Sequence, residues 1–276
     1  MSHRSAVTAA LVVLALLVGG RWMMGRDPAE TVAQQRLGVG PAPAASPAPP
    51  PPEASPTPSS SPAPTVTRTP KKPSGPRSTI GPLGTKRTTG TKRVALTFDD
   101  GPHPEWTPKI LDQLRAARVR ATFCLVGTEV RKYPALVARI VREGHTLCNH
   151  TWHHELDLGT KPPAEIKANL EATNREIRKA VPGAKIKFFR HPGGKWTPAA
   201  IAVARDLGMI SLDWDVDPQD WAKPGAKAVH DRVIGAVRPG SIVLLHDGGG
   251  DRSGTLGACP AVLRDLKRRY GITLLR

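Results

Sequence analysis

Val94-Ala95-Leu96-Thr97-Phe98-Asp99-Asp100-Gly101-Pro102 is where this chain changes character. Five residues suited to a buried strand run into two carboxylates, and Gly-Pro then stops the strand. Upstream, residues 41–82 are dominated by Pro, Ala, Ser and Thr and include 15 prolines. Such a segment buries too little apolar surface to offset the entropy of ordering it, and its prolines hold it extended. A disordered Pro-rich stalk is therefore expected before a folded domain. The expected divisions are 1–25 for a signal, 26–90 for a basic linker and 91–276 for the domain.

Downstream the pattern alternates. Strand-like runs at 94–98, 121–126, 145–149, 186–189, 209–214, 241–245 and 272–275 are separated by helical stretches. Thr107-Pro108 reads as a helix start, with an apolar stripe of Ile110, Leu111 and Leu114. Helical patterns also appear around 136–144 and at 163–180, 197–207, 226–237 and 260–270. About seven strands alternating with helices imply an α/β fold with parallel strands. A barrel and a doubly wound sheet both fit that pattern.

The N-terminus places the domain outside the cytoplasm. Arg4 precedes an uncharged apolar run over residues 6–20, the form of a secretory signal, either cleaved or kept as an anchor. Residues 1–93 carry 12 Lys/Arg against 3 Asp/Glu. This excess favours an anionic wall polymer or membrane surface as partner of the basic tail. Export argues against nucleic acid as that partner. Cys124, Cys148 and Cys259 match no zinc spacing, and one pair of the three could bridge in an oxidising compartment.

The polar residues gather after the strands: Asp99 and Asp100, His150, His153 and His154, Arg190 and His191, Asp217 and Asp220, His246 and Asp247. In parallel α/β folds these strand ends converge at one mouth. Two imidazoles and one carboxylate leave an open position on a divalent cation for hydrolysis. His150 and His154, four apart, would share an ion across one helical turn, and His153, at spacing three, competes.

From residue 94 onward the chain resembles the polysaccharide deacetylases with a NodB homology domain, carbohydrate esterase family 4. Five ordered motifs carry the resemblance: Thr97-Phe98-Asp99-Asp100-Gly101-Pro102, His150-Thr151-Trp152-His153-His154, Arg190-His191-Pro192-Gly193-Gly194, Asp217-Pro218-Gln219-Asp220-Trp221, and Ile242-Val243-Leu244-Leu245-His246. The resemblance implies a distorted (β/α) barrel with fewer than eight repeats. It implies Asp100, His150 and His154 as ligands of a divalent metal, usually Zn²⁺, with Co²⁺ or another divalent ion possible, and His153 as a bystander. Asp99 would be the base and His246 the acid. Asp220 would hold His246, and Arg190 would orient Asp99. The backbone N–H of Gly193 would hold the oxyanion. Trp221 and Leu244 would line the acetyl pocket.

Gly193 stands where the family has an aromatic residue. The backbone donor is kept and an aromatic wall is lost, with Trp196 a candidate replacement. The implied activity is N-deacetylation of peptidoglycan N-acetylglucosamine, then of chitin oligomers, by a monomeric envelope enzyme. An O-acetyl xylan esterase and a non-catalytic wall-binding protein are the rival readings.

Overall fold

The strand-like runs carry apolar residues at both alternating parities, as in Phe123-Cys124-Leu125 and Ile242-Val243-Leu244-Leu245, which calls for burial on both faces. The computed structural model, which describes residues 78–276, meets that requirement with a six-stranded parallel sheet. Its strands are β1 (Ala95–Asp99), β2 (Thr122–Leu125), β3 (Thr146–Asn149), β4 (Ile186–Phe189), β5 (Ile210–Ser211) and β6 (Ile242–His246). Their order is β5-β4-β3-β2-β1-β6. The two end strands approach one another, because Val216, just past β5, bridges to Val243 in β6. The sheet thus curls into the expected distorted barrel.

Its seventh strand does not form. Residues 272–275 contribute one bridge, Ile272 to Val94, and Leu275 is held by the Thr146 hydroxyl instead of a ladder bond. Strand β5 is also shorter than the expected 209–214. Leu212 donates to Phe189, but Asp213 then donates to the Lys86 carbonyl, so the chain leaves the sheet for the upstream segment.

That upstream segment belongs to the folded unit before residue 91. Ile80 bridges to Lys86, Lys86 to Leu212, and Thr88 to Ser241, and Thr85 is buried. Residues 80–88 therefore close the gap between β5 and β6. The expected signal and most of the stalk lie outside the described residues. No helix among the described residues is long and apolar enough to cross a membrane.

The helices are α1 (Trp106–Ala117), α2 (Gly127–Lys132), α3 (Pro134–Arg142), α4 (Pro163–Ala180), α5 (Pro198–Asp206), α6 (Ala226–Ala236) and α7 (Ser253–Arg269). Six-residue α2 is too short to show a period and was not expected. Helix α7 begins seven residues before Pro260 instead of at it. Proline there removes the N–H that would bond the Leu256 carbonyl. Gln113 Nε2 of α1 donates to that carbonyl at 3.1 Å, so the helix runs through. Thr197 caps α5 by accepting from Ala200. Thr107 lies inside α1, and its hydroxyl binds Asp247 instead of capping.

Period two divides each strand between two cores. Leu96, Phe98, Phe123, Leu147, Val243 and Leu245 face the helices. Ala95, Cys124, Cys148, Phe188 and Ile242 face the barrel interior. The same parity turns Thr97, Asp99, Arg190, Leu244 and His246 inward at the ends of β1, β4 and β6. Cys124 and Cys148 are register partners on β2 and β3, and they form the disulfide that sequence left unassigned. Cys259 remains a buried thiol, pushed up to about 12 by burial.

Candidate active site

The inward-facing strand ends meet at one mouth. Asp99, last in β1, is 2 % exposed, and its Oδ1 accepts from Arg190 Nη1 at 2.7 Å. Fully buried Arg190 also donates to Thr97 Oγ1 and to the carbonyls of Leu212 and Asp213. Its guanidinium lies 5.6 Å from the Trp214 ring centre. With this many acceptors around one cation, the side chain is fixed, and so is the Asp99 carboxylate it holds.

Asp100, His150 and His154 offer ligand atoms within 4.8 Å of one another. Asp100 Oδ1 lies 3.4 Å from His150 Nε2 and 3.3 Å from His154 Nε2. Tetrahedral ligands about 2.0–2.1 Å from one ion would lie about 3.3 Å apart, so the spacing fits a divalent cation. Two further observations support the fit. Asp100 Oδ1 is buried without a hydrogen-bond partner. His150 Nδ1 meets the Arg190 carbonyl at 2.7 Å, and a carbonyl only accepts, so the hydrogen sits on Nδ1 and the Nε2 lone pair faces Asp100. Burial pulls the His150 pKa down, yet Asp99 and Asp100 outweigh it and raise the value, so positive charge is favoured at this point. Burial alone would raise Asp100, but His150, His246 and His154 hold it well below the usual carboxylate range.

The two histidines do not share a helical turn, as their spacing had suggested. Residues 150–155 form a loop in which Thr151 and His154 take positive φ, and Asp100 does the same after β1. Left-handed conformations in three non-glycine residues cost energy, and here they aim ligands at one point. His153 stays outside the cluster, its backbone bonded to Glu155.

His246, last in β6, donates from Nδ1 to Asp220 Oδ1 at 2.7 Å. Burial acts to lower its pKa, but Asp220, with Asp100 and Asp99, outweighs burial and pushes it up to about 9. Asp220 Oδ2 accepts from the His246 N–H and from Thr255 Oγ1 of α7. Thr255 was missed from sequence, because α7 was expected to start five residues after it. Asp217 is exposed and caps a turn at Gln219. Asp247 is buried beneath the mouth and pushed up to about 7, first by burial and then by the charges of Asp100 and Asp99, against the Thr107 hydrogen bond. His191 is a packing residue: its ring bonds Gly159 and Pro192.

Gly193 takes φ 62° in a tight turn, and a side chain there would meet Leu156 at 3.2 Å. The ring of Trp214 lies where a Gly194 side chain would go. Trp196 packs on Phe189 and His191 and does not stand beside Gly193. Leu244 is buried in β6, and Trp221 is 51 % exposed next to Asp220.

Known proteins resemble this chain. The family profile described as polysaccharide deacetylase matches residues 86–211. A chitooligosaccharide deacetylase of Bradyrhizobium sp. (strain ANU 289) is 46 % identical over 155 residues, covering 56 % of this chain and 70 % of that protein. The crystal structure of the Bc1960 peptidoglycan N-acetylglucosamine deacetylase superposes with a TM-score of 0.64 at 34 % identity, over 68 % of this chain and 87 % of that one. A pseudoenzyme of the CE4 family from Bacillus anthracis gives a TM-score of 0.62 at 31 % identity, over 67 % of this chain and 64 % of that one. With five motifs gathered at one mouth and relatives matched over most of their length, the chain belongs to the polysaccharide deacetylases of carbohydrate esterase family 4.

Proposed function

We propose that the protein hydrolyses N-acetyl groups on an amino-sugar polymer of the cell envelope, peptidoglycan N-acetylglucosamine first and chitin oligomers second. The carrying observation is that the ligand set Asp100–His150–His154, the Arg190–Asp99 pair and the Asp220–His246 pair share one mouth. A divalent cation held by the first set, Zn²⁺ by its preference for two imidazoles and a carboxylate, supplies Lewis acidity at the acetamide oxygen. Asp99, held by Arg190, takes the proton from the attacking water. The Gly193 N–H donates to the oxygen on which negative charge develops. His246, kept protonated by Asp220, gives its proton to the departing amine nitrogen. Leu244 and Trp221 border the space for the acetyl methyl group.

The likeness to a pseudoenzyme is the one observation favouring a non-catalytic role. Against it stand the base, the acid, both partners that orient them and all three ligand residues, in mutual contact. The signal-like run over residues 6–20 supports an extracellular, envelope-associated location, and the 15 prolines of residues 41–82 support a stalk of wall-spanning reach.

Acetate release tests the reading. The full chain is assayed with Zn²⁺ and then with chelator on peptidoglycan, chitin oligomers and acetylxylan. Chelator-sensitive release from the amino-sugar substrates is expected. Release from acetylxylan alone would transfer the protein to the esterases, and no release with zinc bound would favour the non-catalytic reading.

A further inference from the structure

The N-terminal ends of the strands form a face opposite the catalytic mouth, and two adjoining clefts open on it. One, of about 780 Å³, is lined by Lys86, Arg93, Arg118, Arg120, Lys267 and Arg276, and by no Asp or Glu side chain. Among the described residues none of these six pairs with a carboxylate, and Lys267 donates instead to the Ala117 carbonyl. Elsewhere on the domain many cations are paired, among them Lys109 with Glu105, Arg131 with Glu176, Arg139 with Glu143 and Lys227 with Asp231. Unpaired like charges around one hollow repel each other and create a field that draws anions.

The second cleft, of about 680 Å³, shares Lys86 and Thr91 with the first and includes Ile80 and Ile210. Ile80 and Ile210 are 60 % and 47 % exposed, and Leu83, next in the chain to the lining residue Gly84, is 57 % exposed. Among the described residues, the other exposed large hydrophobic side chains are Leu156, beside Gly193, and Trp221, beside Asp220, both at the catalytic mouth. The exposed apolar surface of the domain is therefore split between the mouth and this opposite face, which marks a second contact surface.

We propose that this face docks on an anionic membrane surface. Ile80, Leu83 and Ile210 enter the headgroup region, and the basic cleft receives the phosphodiester headgroups. Apolar side chains beside a cationic patch are the combination that holds a protein in a charged lipid interface. A soluble phosphate polymer would fill the cleft and leave the three apolar side chains in water. No aromatic residue lines the basic cleft, so a nucleic acid would find no ring on which to stack its bases. The described chain enters through this same face at residues 78–80, and the membrane-type apolar run at 6–20 lies upstream. Docked this way, the domain presents its catalytic mouth away from the bilayer. The inference does not rest on the deacetylase reading.

Hydrogen exchange of the full chain on vesicles tests it, because the readout is local to the face whatever the N-terminus does. Amides of residues 79–93, 118–120 and 271–276 should exchange at least about fivefold more slowly on vesicles containing phosphatidylglycerol than on pure phosphatidylcholine. Arg93→Gln/Arg118→Gln/Arg120→Gln, and separately Leu83→Asp, should abolish that difference while exchange in β1–β4 and acetate release from a soluble chitin oligomer stay unchanged. Equal exchange on the two vesicle types would overturn the proposal, and so would variants that keep the protection. Equal protection by soluble poly(glycerol phosphate) would also overturn it, by assigning the cleft to a wall polymer.

Discussion

Arg190 Nη1 donates to Asp99 Oδ1 at 2.7 Å across 91 residues of sequence, with both side chains all but removed from solvent. The pair joins the end of β4 to the end of β1 through the barrel interior, so one ion pair is both a strut of the fold and the support of the base. Removing the cation would strand a buried carboxylate and unpair the Leu212 and Asp213 carbonyls. Arg190→Met should lower stability by about 3–5 kcal/mol and abolish turnover. Denaturant unfolding and acetate release measure the two effects, and a variant of normal stability would refute the strut.

Asp99 and His150 should separate base from ligand. Asp99→Asn keeps the ligand set and loses the proton acceptor, so zinc content should hold while turnover falls by about 10²–10⁴-fold. His150→Ala should lose both metal and turnover. Metal analysis beside acetate release distinguishes them. Near-normal turnover in Asp99→Asn would remove Asp99 from the role of base.

His246 sets the alkaline limit of activity. Its pKa is raised to about 9 because Asp220, Asp99 and Asp100 outweigh burial. The protonated form is needed to release the amine, so activity should fall as pH rises through about 9, and lower if a bound dication offsets the carboxylates. The stabilisation that comes from the raised His246 pKa follows the same direction. It is fully present below about pH 6.5 and lost as pH rises through about 9. Asp220→Asn should move the alkaline limb to lower pH, and an unmoved limb would exclude His246 as the titrating acid.

Residues 78–90 should matter to stability although they precede the motifs. A chain starting at residue 91 loses the bridges from Lys86 to Leu212 and from Thr88 to Ser241, and uncovers the gap between β5 and β6. Its thermal midpoint should lie several degrees below that of a chain starting at residue 78, where about 1 kcal/mol corresponds to about 2–4 °C for a domain of this size. Equal midpoints would show that the segment only rests on the barrel.

The sequence by itself determined the α/β class, the parallel sheet, and most of the residues that reach the mouth. Strand-like runs alternating with helical stretches imply parallel strands joined by crossovers, and the polar residues that follow those runs gather at one mouth. Asp99 and His246 were legible as polar residues at strand ends, and the family motifs added Leu244 and the choice of ligands. The tertiary structure decided what depends on distant partners. Cys124 and Cys148 pair because β2 and β3 are in register, which no spacing of three cysteines reveals. Thr255 serves Asp220 because Gln113, from another helix, satisfies the carbonyl that Pro260 leaves open and lets α7 start early. Ile272 makes a bridge rather than a strand because the pairing with Val94 is not carried on and Leu275 is held by the Thr146 hydroxyl, and 80–88 joins the barrel because β5 and β6 leave a gap to be closed. Local pattern reads the faces of an element, whereas partnership between elements is set by where the curled sheet brings them together.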